Sequence, residues 1–156
     1  MTANPTQSNE ISDIVTTSLE VLLADIYQLY VKTLAYHWNV EDPRFSQLHE
    51  FFEEQYTQLA ENLDEVAERI RKLGKKAPGS LKELIKLKRL DDTADVETGD
   101  QMITVLFKDY QSLIVCLKND IDQADEQNDP GTADMLTAML RQFEKTAWML
   151  RSHLSR

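Results

Sequence analysis

Residues 37–68 read HWNVEDPRFSQLHEFFEEQYTQLAENLDEVAE, and the fold turns on them. His37 and His49, two of the three histidines, stand in the first part. Glu50, Glu53, Glu54, Glu61, Asp64, Glu65 and Glu68 follow. Asp42-Pro43 offers an N-cap and a proline at the first helical position, Gly74 is the next stop signal, and no helix breaker lies between them. The spacing predicts one long helix. At about 100° per residue, with His49 at zero, Glu53 falls at about 40°, Asp64 at about 60° and Glu68 at about 100°, all on one face. Imidazole with carboxylates is a ligand set for iron, manganese or zinc. His49 and Asp64, however, are roughly 22 Å apart along the axis at 1.5 Å per residue, so one helix cannot close them around one ion. The helix carries two half-sites, His49 with Glu53 and Asp64 with Glu68. Two such helices packed antiparallel about a two-fold axis would join the His49 half of one chain to the Asp64 half of another. From spacing alone a second reading stays open, that of solvated helix carboxylates with an incidental histidine.

Working outward, the chain of 156 residues is long enough for one domain with a real core. Glycine is scarce, with four in all, and the four prolines sit outside the periodic runs, which favours helices. Residues 1–8 are polar, contain no lysine or arginine, and are expected to form a flexible arm ahead of a domain over 9–156. A first helix is expected over about Asn9–Trp38, with Val15, Leu19, Leu22, Ile26 and Leu29 inward. Tyr27, Tyr30 and Tyr36 are assigned to packing, and Trp38 to the core. Residues 39–42 suffice only for a tight hairpin, so the long helix returns antiparallel, burying Phe45, Leu48, Phe52, Leu59, Leu63, Val66, Ile70 and Leu73. From Gly74 to about Glu97 the pattern changes. Pro78-Gly79 marks a turn, and Ser80-Leu81-Lys82-Glu83 is a capping box opening a short helix through about Lys86. A connection this long can cross the bundle lengthwise and let the next helix run parallel to the second. That helix should span Gly99–Gln127, capped by Thr98 and Gln101, with Ile103, Leu106, Phe107, Tyr110, Leu113, Leu117 and Ile121 inward. Asp129-Pro130 repeats the start signal for a last helix to Leu154. The expected fold class is all-α, a four-helix bundle with one long crossover carrying a short extra helix.

The net charge of −10 argues against tight non-specific binding of nucleic acid by the whole surface. Nine of the seventeen basic residues lie between Arg69 and Arg89, where local pairing with carboxylates is the expectation. The single cysteine, Cys116, sits in an apolar run and reads as a buried, inert thiol, compatible with a reducing compartment. No signal peptide or membrane span is expected, and the location expected is cytoplasmic, with nucleoid association as the narrower option. Asp120, Asp122, Asp125, Glu126, Asp129 and Asp134 crowd the last inter-helix corner, where they could steer cations or act as ordinary loop and cap carboxylates. No Glu-x-x-His pair is present: Leu34, Ser46 and Leu150 stand three before the histidines. That weighs against a di-iron site inside one bundle.

The strings His37-Trp38-Asn39-Val40, Phe45, Leu48-His49-Glu50, Asp64-Glu65-Val66-Ala67-Glu68-Arg69-Ile70, Leu73-Gly74 and Trp148-Met149-Leu150 resemble the signature of the Dps family. These are ferritin-like mini-cages named for DNA protection in starved cells. The resemblance covers nearly the whole chain. It implies a ferritin-like bundle and an inter-subunit ferroxidase centre built from His37, His49, Glu53, Asp64 and Glu68. It implies iron as the metal, oxidised from iron(II) by hydrogen peroxide as preferred oxidant, and a dodecamer that stores ferric mineral and protects against oxidative stress. Asp125 and Asp134 fall where relatives place acidic residues of an iron-entry pore at three-fold axes. The short crossover helix falls where relatives form a dimer interface, and Trp38 could intercept oxidising equivalents near the iron. Two positions depart from the pattern. Glu53 stands where many relatives have aspartate, and Asp42 where many have a turn glycine, which should alter the tight loop more than the chemistry. Many relatives bind DNA through a lysine-rich tail, which residues 1–8 do not supply, so DNA binding should be weak or absent. The alternative function is a nucleoid DNA-binding protein with little ferroxidase activity.

Overall fold

The computed structural model describes residues 5–93 and 95–154, with side chains from residue 13 onward. Five helices appear in order: α1 Pro5–Asn39, α2 Phe45–Lys72, α3 Leu81–Leu87, α4 Gly99–Glu126 and α5 Pro130–Leu154. There is no strand among the described residues. α1 packs on α2 and α4 on α5, the two pairs meet where α1 faces α4, and α3 lies against α1. Four long helices and a crossover bearing α3 make the expected bundle.

α1 starts at Pro5, four residues before the expected Asn9, because proline is well tolerated in a first helical turn. Residues 5–8 of the expected arm are therefore helical, and residues 1–4 lie outside the described residues. α2 starts at Phe45 rather than at Pro43. Through its side chain Asp42 caps no α2 amide. Its Oδ1 accepts from the Arg44 amide at 2.8 Å, and its carbonyl accepts from the Phe45 amide at 2.9 Å, which closes a turn ahead of the helix. The remaining boundary signals act as read. Gly74 adopts φ +91° and ends α2, with Gly74 N–H donating to the Arg71 carbonyl and Lys75 N–H to that of Ile70. Asn128, at φ 56°, ends α4 with the same pair of bonds. Ser80 with Glu83 and Thr98 with Gln101 form complete capping boxes. The Asp129 carboxylate accepts from the Thr132 amide at 3.0 Å and opens α5.

The core is apolar, with Leu19, Leu22, Ile26 and Leu29 of α1 against Leu48, Phe52, Leu59, Val66 and Ile70 of α2, closed by α4 and α5 residues such as Ile103, Tyr110, Leu136 and Phe143. Two expectations fail. Phe45 is 45 % exposed and Trp38 is 67 % exposed, because both flank the α1–α2 hairpin where no other helix covers them. Residues 13–39 of α1 are long and apolar enough to cross a membrane. Yet this segment carries the buried Asp25 and Lys32, each with a tertiary partner, and faces three other helices, as a core helix does.

Polar ties fix how the helices lie. The buried Asp25 carboxylate accepts from the amides of Arg89 and Leu90 and from Arg89 Nε at 2.6, 3.0 and 2.7 Å, which anchors the end of the crossover on α1. Lys32 Nζ reaches Asp109 Oδ2 at 2.7 Å between α1 and α4. Arg69 joins α2 to the start of α5 through Asp129 and Thr132, as local pairing predicts.

Candidate metal centre

The tight hairpin sets His37, in the last turn of α1, beside His49, in the second turn of α2. The two imidazoles stack at 3.8 Å between centroids and 17° between planes. Nδ1 of each ring lies 2.8 Å from the backbone carbonyl of the other residue. A carbonyl oxygen only accepts, so each Nδ1 carries the proton and donates it. With the proton held on Nδ1, Nε2 is the nitrogen of each ring that can offer a lone pair to a metal. His37 is buried and His49 half-buried, which limits rotation of both rings.

The stack is extended on both sides. Phe45 lies on His49 at 5.0 Å and 25°, and Tyr56 meets His37 edge-on at 5.1 Å. The exposed Phe45 ring is thus a platform for a histidine rather than a core residue. The loop beneath is clamped: Arg44 donates through Nε and Nη2 to Asp42 at 2.9 and 3.0 Å and through Nη2 to Asp100 Oδ1 at 2.7 Å. The Arg44 hydrogen bonds hold the Asp42 carboxyl down at about 2, so the clamp is ionised at neutral pH. This aspartate therefore ties the loop to the N-terminus of α4, which a glycine could not do.

Glu53 is exposed one turn after His49. Desolvation first, and then the Glu53 charge, push the Tyr56 phenol upward, which places that carboxylate beside the ring column. Asp64 and Glu68 are exposed one turn apart further along α2. The structure brings His37 and His49 together and leaves Asp64 and Glu68 apart from them. Among the described residues of one chain, no three metal-ligating side chains converge. Asp125 and Asp134 are both exposed, at the end of α4 and the start of α5. Their neighbours divide. Burial raises Asp129, but hydrogen bonds from Thr132 and Arg69 outweigh it and leave the carboxyl low. Burial pushes Asp120 up to about 6, against Arg89 and with Asp25. Cys116 is half-buried and its thiol is pushed up, chiefly by burial, in keeping with an unreactive group.

Sequence reading missed Phe45 as a ring support, Tyr56, and the Asp42–Arg44–Asp100 clamp. The i, i+7 spacing of His49 and Tyr56 on one helix was a usable signal for the tyrosine. The clamp needs a partner 56 residues away and left no local signal.

Comparison with known proteins places the chain. The family of the ferritin-like domain matches residues 16–156. The chain is 39 % identical over 140 residues to DNA protection during starvation protein 2 of Bacillus anthracis, covering 88 % of this chain and 96 % of that one. The crystal structure of a Dps protein from Bacillus brevis superposes with a TM-score of 0.91 at 35 % identity, covering 94 % of this chain and 98 % of the other. A Dps protein from Vibrio cholerae, described as a member of a broad superfamily of ferritin-like diiron-carboxylate proteins, superposes with a TM-score of 0.88 at 31 % identity, over 99 % and 98 % of the two chains. The bundle, the crossover helix and the paired histidines thus come with sequence identity over nearly the full length, and the chain belongs to the Dps family of ferritin-like proteins.

Proposed function

We propose that this protein oxidises iron(II), with hydrogen peroxide as preferred oxidant, at sites shared between two copies of the chain, and stores the ferric product. One observation carries the reading. The reciprocal Nδ1–H···O=C bonds of His37 and His49 leave both Nε2 atoms available to a metal ion, which supports their use as ligands. Iron(II) is here a substrate. His37 and His49 would hold it through neutral imidazole, Glu53 would add a carboxylate, and Asp64 and Glu68 of a second copy would complete the shell. A mixed nitrogen and oxygen set of this kind suits iron and leaves positions open for oxidant. The exposure of Asp64 and Glu68, with no local partner set, supports their use by another copy. Consuming peroxide together with iron(II) limits hydroxyl-radical formation, which is the protective role.

Homo-oligomerisation is supported by apolar surface that a lone chain leaves wet. Leu81 and Ile85 of α3 are 63 % and 65 % exposed and border a groove with Val31 and Tyr27 of α1. The assembly proposed is the dodecameric cage, with Asp125 and Asp134 guiding cations inward and the protein acting in the cytoplasm. The names of the relatives keep a second reading in view, a DNA-coating protein. The charge of −10 and the lack of basic residues in 1–8 weigh against it.

The test is to add iron(II) anaerobically, then hydrogen peroxide, and to measure iron eluting with protein on a mass-calibrated column. Many iron atoms per chain in a peak of about 216 kDa, twelve chains of 18.0 kDa, is the expected result. Little bound iron in an intact large peak would move the function to scaffold or DNA binding.

A further inference from the structure

The ring stack at the histidines continues past His37. Tyr56 of α2 meets His37 at 5.1 Å, Tyr30 of α1 meets Tyr56 at 6.2 Å, and Tyr27 follows Tyr30 at 6.1 Å. Tyr27 then lines a surface groove together with Leu63, Asp64 and Ala67. One column of rings, along the seam between α1 and α2, therefore runs from the histidine half-site to the aspartate half-site of the same chain. If sites are completed across a two-fold axis, those half-sites belong to two different centres.

The order of the rings carries chemical meaning. Phenyl and imidazole give up an electron with difficulty, while a phenol does so readily when it can shed its proton. The first oxidisable ring met on leaving the metal position is Tyr56, and those beyond it are also phenols. Of the two oxidisable neighbours of His37 in sequence, Tyr36 packs on Phe52 and Trp38 is largely exposed, and neither stacks on these rings among the described residues.

We propose that Tyr56, Tyr30 and Tyr27 form a redox relay that lends single electrons to hydrogen peroxide and links the two half-sites of one chain. The proposal rests on the iron-oxidising reading above. Peroxide takes two electrons. Where a centre holds a single iron(II), that iron gives one and Tyr56 gives the other. One iron(II), one phenol, one hydrogen peroxide and one proton yield one iron(III), one phenoxyl radical and two waters, the phenolic proton leaving with the water. A second iron(II), at the Asp64 end, returns an electron through Tyr27 and Tyr30. With one proton it restores the phenol and becomes iron(III). The sum is two iron(II), one peroxide and two protons giving two iron(III) and two waters. No hydroxyl radical is released at a half-filled centre.

Edge-on aromatic pairs are also ordinary packing, so the test reads a signal that packing does not produce. The full-length assembled protein is loaded anaerobically with one iron(II) per chain, mixed with hydrogen peroxide and freeze-quenched for electron paramagnetic resonance, with a spin trap in a parallel sample. The expected result is a phenoxyl radical in the wild type. It is lost in Tyr56→Phe, where trapped hydroxyl adduct rises several-fold. It persists longer in Tyr30→Phe and Tyr27→Phe, where the return path is cut. Phenylalanine keeps each ring in place, and the column mass verifies assembly. Iron(III) formed without a phenoxyl radical, a radical that survives Tyr56→Phe, or one abolished by Trp38→Phe instead would each overturn the relay while leaving the iron-oxidising reading intact. Absence of iron(III) in the wild type would overturn both.

Discussion

Lys32→Met tests how the bundle holds the histidine end of α1. Lys32 is 1 % exposed, and its Nζ lies 2.7 Å from Asp109 Oδ2, itself 13 % exposed. This is the buried charge contact between α1 and α4, about one turn before Tyr36 and His37. Burial pushes the Asp109 carboxyl above its ordinary value, the Lys32 bond and charge oppose that, and Asp91 and Asp25 add to it. Removing the lysine leaves burial unopposed, and deletion of one member of a buried pair costs roughly 3–5 kcal/mol. The sign with pH follows. The folded carboxyl binds its proton more tightly than the unfolded one, so the loss is small below the unfolded value and grows as pH rises toward the folded one. Guanidinium unfolding at fixed protein concentration, at about pH 5 and about pH 8, should show the full loss only at the higher pH. Lys32→Met with Asp109→Leu removes both charges and should return stability to within about 1 kcal/mol of the wild type. A single-variant loss under about 1 kcal/mol that ignores pH would refute the reasoning, because it would show that the pair is solvated in the native protein.

Glu68→Ala removes an exposed carboxylate, so stability should move by less than about 0.5 kcal/mol while iron oxidation by peroxide, followed by absorbance, is lost; an unchanged rate would sink the shared-site assignment. Gly99→Ala would place a methyl group against the Asp42 carboxylate and 2.7 Å from Leu48 Cδ1, costing about 1–3 kcal/mol in a denaturant titration, and a neutral result would show that the clamped loop yields. Asp120→Asn should stabilise the protein near neutrality. The folded carboxyl sits at about 6, above its unfolded value of 3.8, so the wild type loses stability as pH rises between the two. Discounted for partial exposure, the gain is about 1–2 kcal/mol above pH 6 and vanishes at about pH 4.

Helix ends were legible because their chemistry is local. Gly74, Ser80 with Glu83, Thr98 with Gln101, and Asp129 each act within a few residues of the boundary they set. Asp42 has the same local chemistry and was misread, since Arg44 occupies its carboxylate and Asp100 holds Arg44 in place. Phe45 and Trp38 were placed in the core on hydrophobicity alone. At a hairpin tip an aromatic ring can serve a histidine instead, and periodicity cannot tell these uses apart. The histidine pair and the carboxylate face were visible as spacing. The tautomer that makes the pair a ligand set was not, because it depends on carbonyls that meet only once the hairpin closes.

Charge placement bears on which function the fold serves. Nine basic residues gather between Arg69 and Arg89, and a sequence scan would flag a phosphate-binding patch there. In the folded chain Arg69 is held by Asp129 and Thr132, Arg89 by Asp25, and Lys75 pairs with Asp13. Arg71 and Lys88 turn to backbone carbonyls of Lys75 and Leu90. Five of the nine are thus engaged within the chain, while Lys72, Lys76, Lys82 and Lys86 stay exposed. At the corner between α4 and α5, Asp129 is taken up as a cap, while Asp122, Asp125, Glu126 and Asp134 stay exposed. Clustered exposed carboxylates of this kind attract metal cations and repel a phosphate backbone. The net charge of −10 and the exposed carboxylates at this corner accord with the proposed traffic in metal cations.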